Sequence, residues 1–237
     1  MLKEERHKKI ISLLKEKKIL STIEVANLLH SSVATVRRDF SYLENKGEIV
    51  RVHGGCQLVK MSNEEFSFSD KLTYNIKSKK KIGQIAASFV ENQTSIYLDA
   101  GTTTLQMIDF LPKNVEVITN SVHIALKSLE ENLKTILLGG HIKKSTDAMI
   151  GSITLNQIKQ FHFNFSFIGI NGVSEKFGYT TPDPEESNIK QQVLKQSEQS
   201  YFLADKSKTG KSFLIKVAEL SSYPLITENS SKMNKKE

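Results

Sequence analysis

Two helix starts lie so close together in this sequence that only a pair of short helices joined by a tight turn satisfies both. Ser21-Thr22-Ile23-Glu24 has the form of a capping box, a hydroxyl N-cap with a Glu three residues on, and Ile23, Ala26 and Leu29 follow at helical spacing. The pattern predicts a helix from about Thr22 to Leu29. His30 and Ser31 interrupt it, and Ser32 caps a second helix through Leu43, with Val36, Phe40 and Leu43 on one face. Upstream, Ile10, Ile11, Leu13 and Leu14 belong to a helix from about Lys3 to Lys17 that completes a three-helix core. Downstream, Asn45-Lys46-Gly47 is a turn, Glu48 to Val52 alternates like a strand, and His53-Gly54-Gly55 turns the chain again. The arrangement predicted is a winged helix-turn-helix.

The polar side of the second helix carries residues suited to a DNA groove. Arg bonds a guanine edge in two places or clamps a phosphate, and Thr bonds phosphate or touches a thymine methyl. Ser32, Thr35, Arg37 and Arg38 are therefore candidate DNA contacts, joined by Arg51 and His53 from the wing. Two arginines on a helix are by themselves an ordinary solvated surface. Charge distribution favours the functional reading: residues 1–60 hold twelve Lys and Arg against seven Asp and Glu, so +5 of the chain's net +7 is concentrated there.

At 237 residues and 38% hydrophobic content the chain can fold as one large domain or as a small and a medium one, and the charge asymmetry favours two. Apolar runs such as Phe165 to Ile170 stop well short of the roughly 20 residues of a membrane helix, and the N-terminus lacks a signal-peptide core. The expectation is a cytoplasmic protein with no membrane partner. Cys56 is the single cysteine, which excludes an internal disulfide and reads as a filler beside the wing rather than a reactive thiol. The six histidines show no metal-ligand spacing, so no metal is assigned.

Beyond a polar connector, residues 58–77, the pattern changes. Lys79-Lys80-Lys81 opens a helix and reads as a solvated face or, alternatively, as a contact for DNA phosphate. Helical Ile82 to Val90 is followed by strand 95–98, helix 103–111, strand 115–119, helix 122–130 and strand 135–138. Helix 152–160, strand 164–170, helix 184–197 and strand 200–204 complete the series. Such alternation implies a mostly parallel α/β sheet covered on both faces. Four spans result: 1–57 for DNA binding, 58–77 as connector, 78–230 for the α/β domain and 231–237 as a polar tail.

Ligands of such sheets bind beyond the carboxyl ends of the strands. There this chain places Asp99-Ala100-Gly101-Thr102-Thr103-Thr104, then Thr119-Asn120-Ser121, Gly139-Gly140-His141, Asn171-Gly172 and Asp205-Lys206-Ser207-Lys208. Glycine admits close backbone approach, and amides and hydroxyls at a helix start surround phosphate. Strand ends also carry these residues for turn reasons alone, and it is their convergence on one edge that points to an anionic small molecule. Two other motifs fail. Gly210-Lys211-Ser212 lacks the P-loop glycine five residues earlier, where Asp205 stands, and Gly169-Ile170-Asn171-Gly172 lacks dinucleotide spacing, so no nucleotide cofactor is expected.

The residues resemble the DeoR family of bacterial sugar-metabolism repressors from Arg6 to about Thr227. The carrying motifs are Thr35-Val36-Arg37-Arg38-Asp39-Phe40 with Leu43-Glu44, Arg51-Val52-His53-Gly54-Gly55, and Leu98 to Thr104. Ile118 to Ser121, Leu138-Gly139-Gly140, Gly178-Tyr179-Thr180-Thr181 and Asp205 to Lys208 follow in order. The resemblance implies an operator-binding N-terminal domain and a C-terminal sensor, resembling ribose-5-phosphate isomerase, that binds a phosphorylated sugar. It implies double-stranded operator DNA as partner and a DNA affinity that the bound sugar changes; a homo-oligomer and release of DNA by effector are the working hypothesis, with strengthened binding left open. The effector contacts it implies are Asp99, Gly101, Thr102, Thr103, Thr104, Asn120, Asn171, Gly172 and Lys208. Gly178 to Glu186 is similar to fructose-operon members, which implies fructose 1-phosphate; tagatose, galactitol and deoxyribose phosphates stay open. Pro182 and Pro184 with Glu185 and Glu186 equally suit a stiffened helix start. Ser31 to Ala34 departs from the family in lacking an acidic residue early in the second helix.

The rival reading is a sugar-phosphate isomerase. Such chemistry needs a carboxylate base and further acids over the substrate. Ribose-5-phosphate isomerases carry an Asp-Gly-Ala-Asp segment where this chain has Asn171-Gly172-Val173-Ser174, and Lys190 aligns near their catalytic Glu, with Glu185 and Glu186 nearby. Binding without catalytic residues is the expectation.

Overall fold

Both cap signals close helices in the computed structural model, which describes residues 2–17, 19–52, 54–58 and 68–230. Ser21 Oγ accepts the Glu24 amide at 3.0 Å and Ser32 Oγ that of Thr35 at 3.1 Å. Between the caps His30 takes a left-handed φ of 46°, which turns α2 into α3. The Glu24 carboxylate departs from the box by pairing with Lys17 at 2.6 Å.

Two compact units form, Met1–Ser62 and Asn63–Glu237. The first contains α1 (Lys3–Lys17), β1 (Ile19–Ser21), α2 (Thr22–Leu28), α3 (Val33–Asn45), β2 (Ile49–Val52) and β3 (Gly55–Leu58). Ile10, Leu14, Val25, Val36, Phe40 and Leu43 are its core. Ile23, expected on the apolar face of α2, is instead 66% exposed, because Val25 and Ala26 take the inner side. The wing is three-stranded and antiparallel in the order β1-β3-β2. Gly55, expected in a turn, pairs with both Val52 and Ser21. A Cβ there would lie 2.1 Å from the Leu20 carbonyl, so only glycine lets β1 approach so closely. β1 was not foreseen, since three residues between two helices give no alternation to detect.

The second unit opens with α4 (Phe68–Thr73) and α5 (Ile76–Ala87), within and just after a span expected to be irregular. Its six-stranded sheet runs in the order β14-β12-β9-β4-β5-β6, every neighbouring pair parallel. These strands are β4 (Ser95–Leu98), β5 (Glu116–Thr119), β6 (Lys134–Leu137), β9 (Phe163–Gly169), β12 (Ser197–Leu203) and β14 (Leu225–Ile226). Alternation along β4 assigns the layers. Ile96 and Leu98 join the cluster holding Ile82 and Ala86 of α5 and Ile124 of α6 (Val122–Glu130), whereas Tyr97 joins Ile158 of α7 (Ser152–Ile158) and Ile189 and Val193 of α8 (Pro184–Lys195). The expected parallel sheet with both faces covered is therefore present.

Three features differ from expectation. The helix after β4 is a 3-10 helix, Thr104–Phe110; the Thr104 hydroxyl donates to the carbonyls of Asp99 and Gly101 at 2.7 and 2.8 Å, tightening its start. A hairpin of β7 (His141–Lys143) and β8 (Ala148–Ile150) follows β6. A second small sheet joins β10 (Gly172–Ser174), β11 (Gly178–Thr181) and β13 (Ile215–Ala218). Among the described residues no helix is long and apolar enough to cross a membrane, and no group of three or more His, Cys, Asp or Glu could hold a metal ion.

Candidate functional site

In the N-terminal unit α3 separates its residues cleanly. Val36, Asp39, Phe40 and Leu43 are buried, and Arg37 and Arg38 between them are exposed. Asp39 fixes that rotation. Its carboxylate accepts from two nitrogens of the Arg6 guanidinium, Nε and Nη2, the latter at 2.9 Å, and lies 2.9 Å from His7 Nε2. Burial by itself raises the Asp39 carboxyl, but the hydrogen bonds from Arg6 and His7 outweigh it and hold the group below the usual carboxylate range. His7 also stacks on Tyr42 at 4.8 Å, and the Lys3 ammonium sits 4.2 Å over the same ring. Sequence reading had no signal for Asp39, because its partner lies 33 residues away.

The predicted DNA contacts fall into two groups. Arg37 and Arg38 project from α3 with no ion pair to any described acid, while Ser32 and Thr35 share a hydroxyl contact of 2.9 Å at its start. Arg51 is drawn back toward α3. Its guanidinium lies 5.6 Å over the Phe40 ring and Nη1 donates to the Arg37 carbonyl at 3.4 Å. His53 lies outside the described residues. Cys56 is fully buried, and burial pushes its thiol up to about 12, so it is inert filler.

In the second unit the loop ends converge at the carboxyl edge of the sheet, and many of their side chains are already committed. Asn120 accepts from Tyr97 Oη at 2.8 Å and from the Ala100 amide at 3.2 Å, and donates to the Met149 carbonyl at 2.9 Å. It thus ties the loop after β4 to β8. Thr104 holds that loop closed, and Asn171 accepts from the Thr181 hydroxyl at 2.9 Å. Gly172 lies so close to Thr180 and Lys211 that a Cβ would meet both at 2.6 Å. The backbone NH groups of Gly101, Thr102 and Thr103, by contrast, donate to no described backbone carbonyl. Three such amides at a helix start are a candidate anion site.

Two buried lysines escaped sequence reading. Lys190 Nζ lies 2.5 Å from Asp99 Oδ2, the partners 5% and 4% exposed, and the same oxygen accepts the Gly169 amide at 3.0 Å. Lys79, expected on a solvated face or at DNA, is only 3% exposed. The reason is that α5 starts at Ile76, which places Lys79, Ile82, Gly83 and Ala86 on one inward stripe; Lys80 and Lys81 do face solvent. Lys79 donates to the Lys71 carbonyl at 2.5 Å and to the Thr102 hydroxyl at 2.9 Å. Burial pulls its ammonium down to about 8, with Asp205 working against the shift and Lys208 adding to it. Lys208 closes the short 3-10 turn Lys206–Lys208, whose N-cap Asp205 accepts from Ser207 and Asn75 at 2.8 and 3.0 Å. A second acidic group lies nearby: Glu186 accepts from Lys143 at 2.9 Å and Thr146 at 2.8 Å.

This chemistry suits binding of an anion better than proton abstraction. Lys190 is paired with Asp99, Glu186 is neutralised by Lys143, and Glu185 is exposed, so no buried carboxylate is left without a cationic partner among these residues.

Comparison with known proteins agrees at both ends of the chain. The DeoR-like helix-turn-helix domain matches residues 6–62, and the DeoR C terminal sensor domain matches residues 74–229. The uncharacterized HTH-type transcriptional regulator FruR of Bacillus subtilis (strain 168) is 39% identical over 235 residues, covering 98% of this chain and 94% of that one. The HTH-type transcriptional repressor GlcR of the same organism is 33% identical over 228 residues, 95% and 88% of the two chains. Among solved structures, ribose 5-phosphate isomerase A from Methanocaldococcus jannaschii covers 57% of this chain and 55% of that one at 16% identity, with a TM-score of 0.41.

Two outcomes follow from this geometry. Because Asp39 titrates below its unfolded value, its contribution is present above the ordinary carboxylate range and disappears as pH falls through the folded value. Protection factors over α3 in the full chain, taken relative to intrinsic amide exchange at each pH, should therefore fall on acidification, and Asp39→Asn should lose about 2 kcal/mol at neutral pH together with that dependence; protection that does not change with pH would remove Asp39 as the anchor. In the sensor, Lys190→Met leaves Asp99 buried and uncompensated and should cost roughly 3–5 kcal/mol in calorimetry. Adding Asp99→Asn should recover part of the loss, and additive losses would show that the pair is not coupled.

Proposed function

The chain belongs to the DeoR family of transcriptional regulators, which are DNA-binding proteins and not enzymes, and from that premise we propose that it represses a sugar uptake or catabolism operon under control of a phosphorylated sugar. The observation that carries the DNA reading is the pair Arg37 and Arg38, exposed on α3 while Asp39 between them and Phe40 is locked inward. In this reading α3 lies in the major groove, Thr35 and Ser32 touch backbone or base at its start, and Arg51 and His53 support contact from the wing. Domain spans 1–57, 58–77 and 78–230 then serve as reader, connector and sensor. A symmetric oligomer, working in the cytoplasm, presents two readers to repeated half-sites.

The effector's phosphate rests on the amides of Gly101 to Thr103, with Thr102, Lys79 and Lys208 supplying hydroxyl and charge. Its hydroxyls face Asp99, Asn171 and Gly172. Asn120 and Thr104 act by holding the loop in shape, since their side chains are already bonded within the fold. Fructose 1-phosphate is the first candidate, on the similarity of the 178–186 segment to fructose-operon members of the family. The effector weakens operator binding by favouring a state with lower DNA affinity; a ligand of equal affinity for both states shifts nothing.

Alanine at both Arg37 and Arg38 should lower affinity for the gene's own upstream DNA by at least about tenfold and flatten its salt dependence, measured by fluorescence anisotropy. Unchanged affinity excludes α3 as the reader. On the sensor side, Lys79 with its pKa at about 8 is mainly a neutral amine at higher pH and must take up a proton there to face a phosphate dianion as a cation. Calorimetric affinity for fructose 1-phosphate should fall as pH rises above about 8, and Lys79→Met should bind weakly with that slope gone. A slope kept in Lys79→Met removes Lys79 from the site.

A further inference from the structure

The outward stripe of α3 begins with two side chains that the arginines do not explain. Val33 is 39% exposed and Ala34 is exposed too, and with Arg37 and Arg38 they occupy i, i+1, i+4 and i+5, which face one side of the helix. The core beneath α3 is built from Val36, Phe40 and Leu43, and Val33 is not among the residues packed on it. A β-branched residue in an exposed first turn gains nothing in helix propensity over Glu or Lys. The same turn holds no acid, which is the departure from the family pattern seen at Ser31 to Ala34.

The occupant that fits is specific. An aliphatic pair beside two arginines that pair with no described acid, in the unit carrying most of the chain's net positive charge, complements a DNA major groove that combines phosphate charge with an apolar feature. The apolar feature of that groove is the thymine methyl group; a carboxylate at this turn would instead accept from the amino group of cytosine. We propose that Val33, with Ala34 beside it, packs on thymine methyl groups, so that each operator half-site carries thymine next to the bases or phosphates held by Arg37 and Arg38. The inference rests on α3 as the reading helix and adds which base its first turn selects. Val33 is then a specificity residue: its exposed methyls lose water only against the correct base.

The test uses the full chain and a pool of randomised duplexes, from which bound sequences are selected and then resynthesised with uracil replacing thymine, position by position. Uracil keeps pairing and groove edges but removes the methyl. Affinity should fall about fourfold for each contacted methyl, and Val33→Ala should bind thymine and uracil duplexes with a ratio nearer to one while keeping the native thermal midpoint. Groove-shape effects of uracil are common to both proteins and cancel in that comparison. Equal affinity of the native protein for thymine and uracil duplexes, or an undiminished ratio in Val33→Ala, overturns the inference. The Arg37→Ala, Arg38→Ala protein separates the two levels: loss of binding there together with no methyl effect sinks the thymine contact alone, and retained binding sinks the assignment of α3 as well.

Discussion

A buried carboxylate sets which face of α3 turns outward. Asp39 stands beside the two exposed arginines of α3, and a helix of 13 residues with three large apolar side chains inward could still rotate by tens of degrees. The bonds from Arg6 and His7 of α1 remove that freedom. Burying Asp39 alone would be costly; paired with a guanidinium in two-nitrogen contact, it fixes geometry more than it adds stability. The consequence for function is direct, because a groove contact made by Arg37 or Arg38 requires both side chains to leave the same face. The same bonds make α1 a support of α3, the helix proposed to read the groove.

In the sensor the charged groups are arranged on a similar logic with a different result. Lys190 is neutralised by Asp99 and sits in the floor of the strand-end edge, whereas Lys79 is buried next to a hydroxyl and a carbonyl and its pKa is lowered to about 8. A cation held in that condition would regain from a bound anion what it lost on burial. The loop amides offer the complementary dipoles. Asn120, through Ala100 on one side and Met149 on the other, connects the loop after β4 to the β7–β8 hairpin, whose tip is tied to α8 through Lys143 and Thr146 and to Phe68 by the Phe68 amide on the Ser145 carbonyl at 2.9 Å.

Much of this was legible in sequence because local signals and tertiary demand agree. Ser21 and Ser32 cap where expected, the strand and helix alternation builds a parallel sheet, and its loop ends gather at one edge. What stayed hidden was carried by long-range pairs: Asp39 with Arg6, Asp99 with Lys190, and Lys79 with Thr102. Lys79 illustrates the reason. A triple-lysine run reads as solvated unless the helix register is known, and a start at Ile76, three residues before the run, turns the first lysine inward. Short antiparallel pieces such as β1, β7 and β10 span three residues each, too few for a period to appear. Asn120 and Thr104 were singled out by residue type and position, and only geometry distinguishes a side chain that shapes the loop from one free to touch a ligand.

The central claim is that one chain holds a duplex through α3 and lets it go when a sugar phosphate occupies the sensor. Fluorescence anisotropy of a labelled duplex from the gene's own upstream region, at fixed salt and saturating full-length protein, measures both halves at once. Titration with fructose 1-phosphate, then with tagatose, galactitol and deoxyribose phosphates, should release the duplex with one of them, while fructose or inorganic phosphate alone leaves it bound. A duplex that never binds, or one whose occupancy no sugar phosphate alters, contradicts the account.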